Sequence, residues 1–230
     1  MSARPFCTAI VVGGGSGKRM GGTQNKIFLD LNGMPVLAHT LLVFENCPLI
    51  DEIVLVGRKE EHRQCLEIAE QFRISKLVTV VSGGIQRRDS VWNGLQAANS
   101  QTKLAAVHDA ARPFVSQDAL AAVIETAART KAATLGVRAK DTIKVCDRDN
   151  TVVSTPSREN LWLIQTPQVF DYNLICRAHR TITTPVTDDC ALVEALGVSI
   201  TVVEGGYTNI KLTTPEDIVY AGALLQAGIL

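Results

Sequence analysis

A glycine-rich segment near the amino terminus has the composition of an anion-binding loop. It is GGGSGKRMGG at residues 13–22, directly after the apolar run Thr8–Val12. Glycines let backbone N–H groups approach phosphate oxygens without interference from side chains, so such a segment can form an anion-binding nest. Arg19 lies in the segment and Lys26 follows it. Two cations beside a nest suit a polyphosphate, although either cation alone is more often a solvated surface charge.

Two familiar phosphate-binding patterns do not fit this segment. The P-loop pattern G-x-x-x-x-G-K-[ST] needs a glycine where the chain has Val12 and a hydroxyl residue where it has Arg19. The dinucleotide pattern G-x-G-x-x-G needs a glycine at Lys18 or at Met20. Both motifs are therefore excluded. Taken alone, the segment is either an unfamiliar nucleotide loop or a glycine-rich turn without function.

The overall composition excludes several classes of protein. Lys plus Arg (23) equals Asp plus Glu (23), so the formal net charge of the 230 residues is zero. A general nucleic-acid or membrane-surface binder, which usually carries excess positive charge, is therefore not expected. No stretch approaches the about 18 consecutive apolar residues of a membrane-spanning helix, and the run before the glycines is too short for a signal segment. We expect a soluble, cytoplasmic chain.

The six cysteines do not have the spacing of a metal site. No two of them form a C-x2-C or C-x4-C pair, so structural zinc is not expected. We expect buried, reduced thiols of the kind found in cytosolic proteins. The cysteines are Cys7, Cys47, Cys65, Cys146, Cys176 and Cys190.

The elements that must position the glycine segment alternate along the chain. Short runs that are apolar throughout are typical of strands buried on both faces of a parallel sheet. The predicted strands are 8–12, 52–56, 77–81, 104–108 and 198–203, and the predicted helices are 36–47, 59–72, 87–98 and 119–128. This alternation predicts an α/β fold, a Rossmann-like and mostly parallel sheet with helices on both faces. Ligands of such sheets bind beyond the carboxyl ends of the strands.

One stretch, residues 140–156, breaks the alternation. Residues 141–145 are predicted to form a strand and residues 152–153 its return, around the polar tip 147–150. This pattern indicates a β-hairpin without a helix to cover it. Such a ribbon is either an excursion at the sheet edge or an arm that packs on another subunit. We therefore treat the chain as one domain, 1–230, with a protruding arm at about 139–157.

Six motifs, in order along nearly the whole chain, carry a resemblance to a known family. They are GSGKRMG at 15–21 with Lys26 and LNGMPVL at 31–37, GGIQRRDSVWNGL at 83–95, VHDAARP at 107–113, LW and QTPQVF within 161–170, TDD at 187–189, and NIK and TPED within 209–217. The series closely resembles the methylerythritol phosphate cytidylyltransferases of the non-mevalonate isoprenoid pathway. The fold implied is of the nucleotide-diphospho-sugar transferase type, and the implied assembly is a homodimer through the arm.

The resemblance implies transfer of CMP from CTP to 2-C-methyl-D-erythritol 4-phosphate, with release of pyrophosphate. The attacking phosphate is already anionic, so no general base is required, and catalysis becomes positioning and charge stabilisation by cations. By resemblance, Arg19 and Lys26 stabilise the pentavalent transition state and the leaving pyrophosphate. Lys211 would hold the incoming phosphate. Thr142, on the arm, and Arg158, just after it, would position the polyol phosphate, and the arm's contacts would be made in the neighbouring subunit's site.

The remaining substrate contacts are also implied by resemblance. Asp109 and Arg112 would bind polyol hydroxyls, with Thr187 nearby. The implied nucleotide contacts are Gly13, Gly14, Gly15, Gly84, Ala110 and Ser90. A Mg²⁺ ion would be held mainly by the CTP phosphates, so no residue is predicted as a metal ligand.

Three positions need separate comment. The family usually has proline where this chain has Asn25, so we expect a more mobile loop there. An acidic residue that contacts the nucleotide often stands where the chain has Ile85, so we expect backbone contacts to substitute for it. His108, at the end of an apolar strand, is expected to be structural rather than catalytic.

Two alternatives remain open. Ribitol 5-phosphate cytidylyltransferases share the fold and the chemistry, but their aspartate motif typically reads HDSVRP, whereas this chain has HDAARP at 108–113. A non-catalytic nucleotide-binding domain is the second alternative. It is disfavoured because a binding module has no reason to keep cations for both anionic substrates.

Overall fold

A seven-stranded mixed sheet forms the centre of the structure, a computed structural model that describes residues 4–15 and 25–229. The strands of these residues are β1 (Cys7–Val12), β2 (Asp30–Leu31), β3 (Met34–Pro35), β4 (Glu52–Gly57), β5 (Leu77–Ser82), β6 (Leu104–Asp109), β7 (Ala132–Arg138), β8 (Val145–Cys146), β9 (Val152–Ser154), β10 (Trp162–Asp171) and β11 (Thr201–Glu204). The order in the large sheet is β11-β7-β10-β6-β1-β4-β5, and β2–β3 and β8–β9 form two small ribbons.

Helices connect these strands. The α-helices are α1 (Val36–Glu45), α2 (His62–Gln71), α3 (Arg87–Gln96), α4 (Gln117–Thr130), α5 (Tyr172–Thr181), α6 (Asp189–Glu194) and α7 (Pro215–Gln226), and short 3-10 helices cover Lys26–Phe28, Lys59–Glu61 and Arg158–Asn160. Within the described ranges, none of these helices has the length and apolarity that a membrane crossing requires.

The sheet is parallel except for one strand. β1 pairs in parallel with β4 and β6, β5 with β4, and β11 with β7. β10 lies antiparallel between β6 and β7. The predicted α/β class, with a mostly parallel sheet and helices on both faces, is confirmed, and β10 is the antiparallel exception.

Helices cover both faces of the central strand β1. Ala9 and Val11 pack in the apolar cluster that includes α1, α2 and α4, and Ile10 packs in the cluster that includes α3, α5 and α6. All three side chains are fully buried. Because neither face meets water, nearly every position of the strand is apolar, and the polar exception, Thr8, donates its hydroxyl to Glu52 Oε1 at 2.8 Å. This is why the sequence shows a continuous run here rather than an alternation.

A smaller apolar cluster packs α7 against residues that include the loop after β6. Ala221 and Leu224 of α7 pack with Val36, Phe114 and Leu212. Fully burying a large aliphatic or aromatic side chain contributes roughly 1.5–3 kcal/mol. The cluster therefore holds the segment just before α7 against the carboxyl end of β6.

The predicted hairpin is present but shorter than expected. β8 and β9 pair antiparallel. The predicted strand 141–145 is wrong for residues 141–144, because β9 has only three residues and offers them no partner. Val145, Val152 and Val153 are 48%, 52% and 66% exposed. Within the described part of this chain, the ribbon therefore keeps its apolar side chains in solvent.

The other predicted elements appear with shifted ends. The prediction missed two strands of the large sheet, the short ribbon β2–β3, and the helices α5, α6 and α7. α4 extends beyond the predicted 119–128 at both ends, and β11 begins at Thr201 rather than at 198. β7 and β10 were not predicted. In β10 the buried polar residues Gln165, Thr166 and Gln168 interrupt the apolar pattern that identifies a strand.

The cysteines are free thiols, as predicted. Five are buried, and Cys146 on β8 is exposed. Burial raises the pKa of the Cys65 thiol to about 12, so this side chain stays protonated at neutral pH.

Candidate active site

A cleft of about 440 Å³ lies at the carboxyl ends of β1 and β6, beside the first turn of α3. Open α/β sheets bind their ligands at this edge. The cleft brings together the predicted residues Gly13, Gly14, Gly15, Lys26, Gly84, Ser90, Asp109 and Lys211. Its other lining residues are Val12, Asn25, Ile27, Ile85, Gln86, Arg87, Ala111 and Thr213. Segments from both ends of the chain therefore share one cavity wall.

The glycine segment begins by crossing the ends of the neighbouring strands. The Gly13 N–H donates to the Val56 carbonyl at 2.7 Å, and the Ala110 N–H donates to the Val12 carbonyl at 2.9 Å. A Cβ atom at position 13 would lie 3.0 Å from Ile27 Cδ1 and 3.3 Å from the Ala110 Cβ. A side chain at residue 13 would therefore fit only if the end of the Ile27 side chain and Ala110 moved by a few tenths of an ångström.

The loop between β5 and α3 forms a second wall of the cleft. The Gly83 N–H donates to the Gly57 carbonyl at 2.8 Å. The Gly84 N–H donates to Ser90 Oγ at 3.1 Å, and this hydroxyl donates to the Gln86 carbonyl at 3.1 Å. Ser90 therefore shapes the turn that presents Gly84, in addition to lining the cleft.

Asp109 is the centre of a group of charges at the end of β6. Its carboxylate lies 2.7 Å from Lys211 Nζ, 3.4 Å from Arg87 Nε and 3.9 Å from Arg112 Nε. Burial alone would raise the pKa of Asp109, but the charges of Arg87 and Lys211 outweigh it and hold that pKa far below its usual range. Asp109 is therefore an ionised acceptor at any physiological pH.

Arg87 is a site residue to which the sequence analysis gave no role. Its Nη1 atom lies 2.7 Å from Asp189 Oδ2, and the Asp189 side chain is only 1% exposed. Burial alone would lower the pKa of Arg87, but Asp189 and Asp109 raise it, so the guanidinium stays charged. The sequence did contain a sign of this role. Arg87 stands three residues before the predicted site residue Ser90 in the motif at 83–95, so the two residues lie on the same face of the helix.

The segment that carries Lys211 is held by the loop after β6. The Leu212 N–H donates to the Ala111 carbonyl at 2.9 Å, and Arg112 Nη1 donates to the Asn209 carbonyl at 2.8 Å. The Lys211 side chain is 40% exposed, so it can reach a ligand in the cleft. Arg112 is only 14% exposed and does not line the cleft. Arg112 therefore lies behind Asp109, outside the lining of the cleft, and its contact with polyol hydroxyls stays a prediction.

His108 has both ring nitrogens in internal hydrogen bonds. Nε2 lies 3.0 Å from the Arg112 carbonyl and Nδ1 lies 3.0 Å from Thr166 Oγ1. The Arg112 carbonyl can only accept, so the proton of neutral His108 lies on Nε2, and the Thr166 hydroxyl donates to Nδ1 while its oxygen accepts the Asp109 N–H. Burial lowers the pKa of His108 to about 4. This neutral, fully bonded ring fits the structural role that was expected.

Besides Arg112, four predicted site residues lie away from the cleft of this chain. Arg158, Thr142 and Thr187 are exposed and do not line it. Arg158 Nη1 donates to the Lys140 carbonyl at 3.0 Å, at the base of the hairpin. Ala110 is buried, and its carbonyl accepts the Thr40 hydroxyl at 2.8 Å. Their roles stay predictions.

Two further predicted positions can be placed. Arg19 lies outside the described residues. Ile85, at the position where an acidic residue was expected, is fully exposed and lines the cleft beside Gly84.

The charge of the described cleft wall is positive. Lys26, Arg87 and Lys211 contribute three positive charges against the one negative charge of Asp109, a balance of +2. No group of three or more His, Cys, Asp or Glu side chains among residues 4–15 and 25–229 could hold a metal ion. Because Asp109 is already ion-paired, this donor set fits only a cation that arrives with oxygen ligands of its own. The wall suits a polyanion.

Comparison with protein families places the chain beside known transferases. Residues 7–227 match the family model described as 2-C-methyl-D-erythritol 4-phosphate cytidylyltransferase. A protein of that name from Halalkalibacterium halodurans is 45% identical over 221 residues, which cover 95% of this chain and 96% of the relative. One from Caldanaerobacter subterraneus subsp. tengcongensis is 42% identical, over 95% of this chain and 98% of the relative.

Solved structures give the same result for the fold. The crystal structure of 4-diphosphocytidyl-2C-methyl-D-erythritol synthase from Anaerococcus prevotii superposes with a TM-score of 0.86 at 35% identity, over 96% of both chains. The 2-C-methyl-D-erythritol 4-phosphate cytidylyltransferase of Thermus thermophilus superposes with a TM-score of 0.77 at 30% identity, over 94% of this chain and 98% of the other.

Proposed function

This chain belongs to the 2-C-methyl-D-erythritol 4-phosphate cytidylyltransferase family, and we propose that its two substrates meet in the cleft between the glycine segment and Lys211. It is a nucleotidyltransferase that transfers CMP from CTP to 2-C-methyl-D-erythritol 4-phosphate, giving 4-diphosphocytidyl-2-C-methyl-D-erythritol and pyrophosphate. The observation that supports this location is the meeting of Lys26, Arg87 and Lys211 in one cleft around Asp109.

The main barrier to this reaction is repulsion between the substrates. A triphosphate of charge about −4 has to be approached by a phosphomonoester of charge about −2. The phosphomonoester oxygen attacks the α-phosphorus of CTP, a P–O bond forms, and the bond to the pyrophosphate breaks. Since the nucleophile is already deprotonated, the protein supplies position and positive charge rather than a base. A wall with a balance of +2 suits that task.

Each cation of the cleft has a different position and therefore a different proposed role. Lys26, beside the glycine segment, would hold the transferred and leaving phosphates. Lys211, 2.7 Å from Asp109, would hold the phosphate of the incoming polyol. Asp109 would accept a hydroxyl hydrogen of the polyol, and Arg87 fixes its orientation from 3.4 Å. Arg19 stays a proposed second cation for the leaving group.

A Mg²⁺ ion is proposed to enter with CTP. Its ligands would be phosphate oxygens held near Lys26 and the backbone of Gly13–Gly15, since the cleft's described carboxylate is engaged by Lys211. Bound there, the ion would neutralise phosphate charge during the transfer.

Turnover with two polyol phosphates tests the assignment. With CTP and Mg²⁺, we expect pyrophosphate release with 2-C-methyl-D-erythritol 4-phosphate at a kcat/KM at least about a hundredfold above that with ribitol 5-phosphate. The relatives described above are named for the former substrate and none of them for the latter. A preference for ribitol 5-phosphate would refute the substrate, and no pyrophosphate release with either would indicate a non-catalytic domain.

The hairpin is proposed to pack on a second copy of the chain. The exposed Val145, Val152 and Val153 support this proposal, since apolar ribbons in water are unfavourable and are usually buried in an interface. Arg158 and Thr142, which stand outside this chain's own cleft, would then contribute to the partner's site.

A complementation experiment tests the shared site. Lys26→Ala and Arg158→Ala chains are each expected to be nearly inactive as homodimers. Mixed under exchange conditions, they should recover about a quarter of wild-type turnover, because half of the dimers are mixed and each mixed dimer has one complete site of two. No recovery, or a monomer by light scattering at micromolar concentration, would contradict the proposal. A Val219→Asp chain, changed at an exposed valine of α7, is the control for non-specific effects.

A cytoplasmic location is proposed as well. It is supported by six free cysteines, five of them buried, which is typical of proteins in a reducing compartment. Labelling of the Cys146 thiol in intact cells by a membrane-permeant but not by an impermeant reagent tests it.

A further inference from the structure

Asn25 makes three hydrogen bonds at the edge of the cleft. Its side chain is buried, with 3% of the residue exposed. Nδ2 donates to the Gly13 carbonyl at 2.8 Å and to Glu61 Oε2 at 3.0 Å. Oδ1 accepts the Ile27 N–H at 3.4 Å and caps the 3-10 helix that begins at Lys26. We expected the replacement of the usual proline to loosen this part of the chain, but at position 25 the amide supplies fixed contacts instead.

The same network continues to the other side of the glycine segment. Glu61 Oε1 lies 3.6 Å from Arg58 Nη1, and Arg58 Nη2 donates to the Gly15 carbonyl at 2.8 Å. The Glu61 side chain is 13% exposed and that of Arg58 is 32% exposed. The ion pair in the loop after β4 therefore holds the Gly15 carbonyl directly, through Arg58, and the Gly13 carbonyl indirectly, through Asn25 on Glu61.

The bonds to carbonyl oxygens also set the direction of backbone N–H groups. In a trans peptide the C=O and N–H groups point in opposite directions. Holding the Gly13 carbonyl on Asn25 therefore fixes the direction of the Gly14 N–H, which belongs to a residue of the cleft wall. The cap on the following helix fixes the backbone of Lys26 at the same time.

We propose that Asn25, Glu61 and Arg58 are positioning residues that set the distance between the Gly13–Gly15 backbone and Lys26 for binding the triphosphate of CTP. The proposal deepens the function proposed above and rests on it. None of the three has to touch the reacting atoms. They hold the two phosphate-binding parts of the wall in one geometry before CTP binds. The binding free energy of CTP is then not reduced by the cost of ordering the wall.

Asn25→Asp is the sharpest variant, because it is isosteric and keeps the Oδ1 acceptor for the Ile27 N–H. It removes both donations of Nδ2 and places a second carboxylate beside Glu61, at the 3.0 Å distance of the present hydrogen bond. We expect kcat/KM for CTP to fall about tenfold or more, since two hydrogen bonds of a buried group are lost. KM for the polyol phosphate should change by less than about twofold, because that substrate is proposed to bind at Lys211 and Asp109, to which the Asn25 side chain makes no hydrogen bond.

The hydrogen bond between Asn25 and Glu61 can be tested by exchanging the amide and the carboxylate between the two positions. Glu61→Gln alone should lower kcat/KM for CTP about threefold. Added to Asn25→Asp, it should restore part of the lost activity, because the new amide of residue 61 can donate to the new carboxylate of residue 25. The matched control is Glu60→Gln, which removes the same charge from the neighbouring exposed position and should leave activity unchanged.

The outcomes separate positioning from simple stabilisation. If Asn25→Asp lowers the melting temperature but, while folded, keeps wild-type kcat and KM for CTP, the network is only structural and the proposal is overturned. If that variant does not fold, Glu61→Gln and Arg58→Met decide by the same criterion. If the wild-type chain itself releases no pyrophosphate, the proposed function fails. Calorimetric affinity for CTP–Mg²⁺ then decides this inference, with about tenfold weaker binding by Asn25→Asp in its favour and equal binding against it.

Discussion

Replacing Arg87 by methionine should destabilise the protein because it leaves the buried carboxylate of Asp189 without its cationic partner. Arg87 Nη1 lies 2.7 Å from Asp189 Oδ2, and the Asp189 side chain is 1% exposed. Among the described residues, the Asp189 carboxylate would then keep one ionisable neighbour within 4 Å. This is His179, whose Nε2 lies 3.5 Å from Asp189 Oδ1. Methionine keeps much of the length of the side chain, so the variant removes charge more than it removes packing.

The size of the effect follows from burial. Removing one partner of a buried ion pair costs about 3–5 kcal/mol. The Arg87 side chain is 31% exposed, so water partly replaces it and the lower end of that range, about 3 kcal/mol, is expected. For a chain of this length the melting temperature falls by about 2–4 °C per kcal/mol, which gives a loss of about 6–12 °C.

The loss should depend on pH in a defined direction. In the wild type, burial opposes ionisation of Asp189, but Arg87 outweighs it, and the folded-state pKa lies below the usual 3.8. Asp189 therefore stabilises the fold above that usual value, and the contribution is lost as pH falls through the folded-state pKa. In the variant, burial dominates and the pKa rises above the unfolded value. The free-energy gap between the two proteins should be widest near pH 7 and narrow towards about pH 4.

Urea unfolding followed by circular dichroism at several pH values measures this gap. Arg63→Met is the matched control, because Arg63 Nε lies 2.8 Å from Glu67 but the two side chains are 89% and 57% exposed, so no measurable change is expected. Repeating Arg87→Met in an Asp189→Asn background should cost less than half as much. The reasoning is refuted if Arg87→Met loses no more than the control, or if its loss does not vary with pH.

Three further predictions concern catalysis, titration and packing. Lys26→Ala should lower kcat far more than it raises KM for CTP, measured by pyrophosphate release; a pure KM effect would mean uniform binding. Burial lowers the pKa of His108 to about 4, so the wild type loses stability between pH 6.5 and about 4, where only the unfolded chain takes up the proton. His108→Gln should therefore make the urea midpoint depend less on pH in this range. An unchanged slope would contradict this. Gly94→Ala should cost about 1–3 kcal/mol, since its Cβ would lie 2.5 Å from Ile10 Cγ2. Gly222→Ala, with open space around it in α7, should instead stabilise by about 0.5–1 kcal/mol in the same urea assay.

The strands that were predicted well from the sequence are those whose two faces are both buried under helices. β1, β4 and β6 have every residue buried or nearly so, and each appears as an apolar run in the sequence. Burial on both faces makes most positions apolar, with polar residues confined to strand ends such as Thr8, Glu52 and Asp109, so the pattern can be recognised without knowing the neighbours. β10 was missed because its polar residues find distant partners. Gln168 Nε2, for example, donates to Asp188 Oδ2 at 2.8 Å, and no local pattern reveals such a contact.

For the site, the sequence predicted the residue types better than their arrangement. The glycine segment, Lys26, Asp109 and Lys211 were identified from motifs, and the structure places those that it describes in one cleft. The behaviour of Asn25 was not foreseen, because its effect depends on Glu61, 36 residues further along the chain. A proline and an asparagine differ in local stiffness, but only the folded chain shows that the amide of residue 25 is fully used.

The sequence by itself determined the α/β class, the family and the chemical groups of the cleft, because periodicity and motif spacing are properties of neighbouring residues. The tertiary structure decided that β10 enters the sheet antiparallel, that Arg87 joins Asp109 to Asp189, and that the described residues of this chain leave the hairpin valines uncovered. The Arg87–Asp189 contact joins residues 102 positions apart. Contacts of that kind depend on the register and order of strands, which are fixed by packing of the whole chain rather than by local preference.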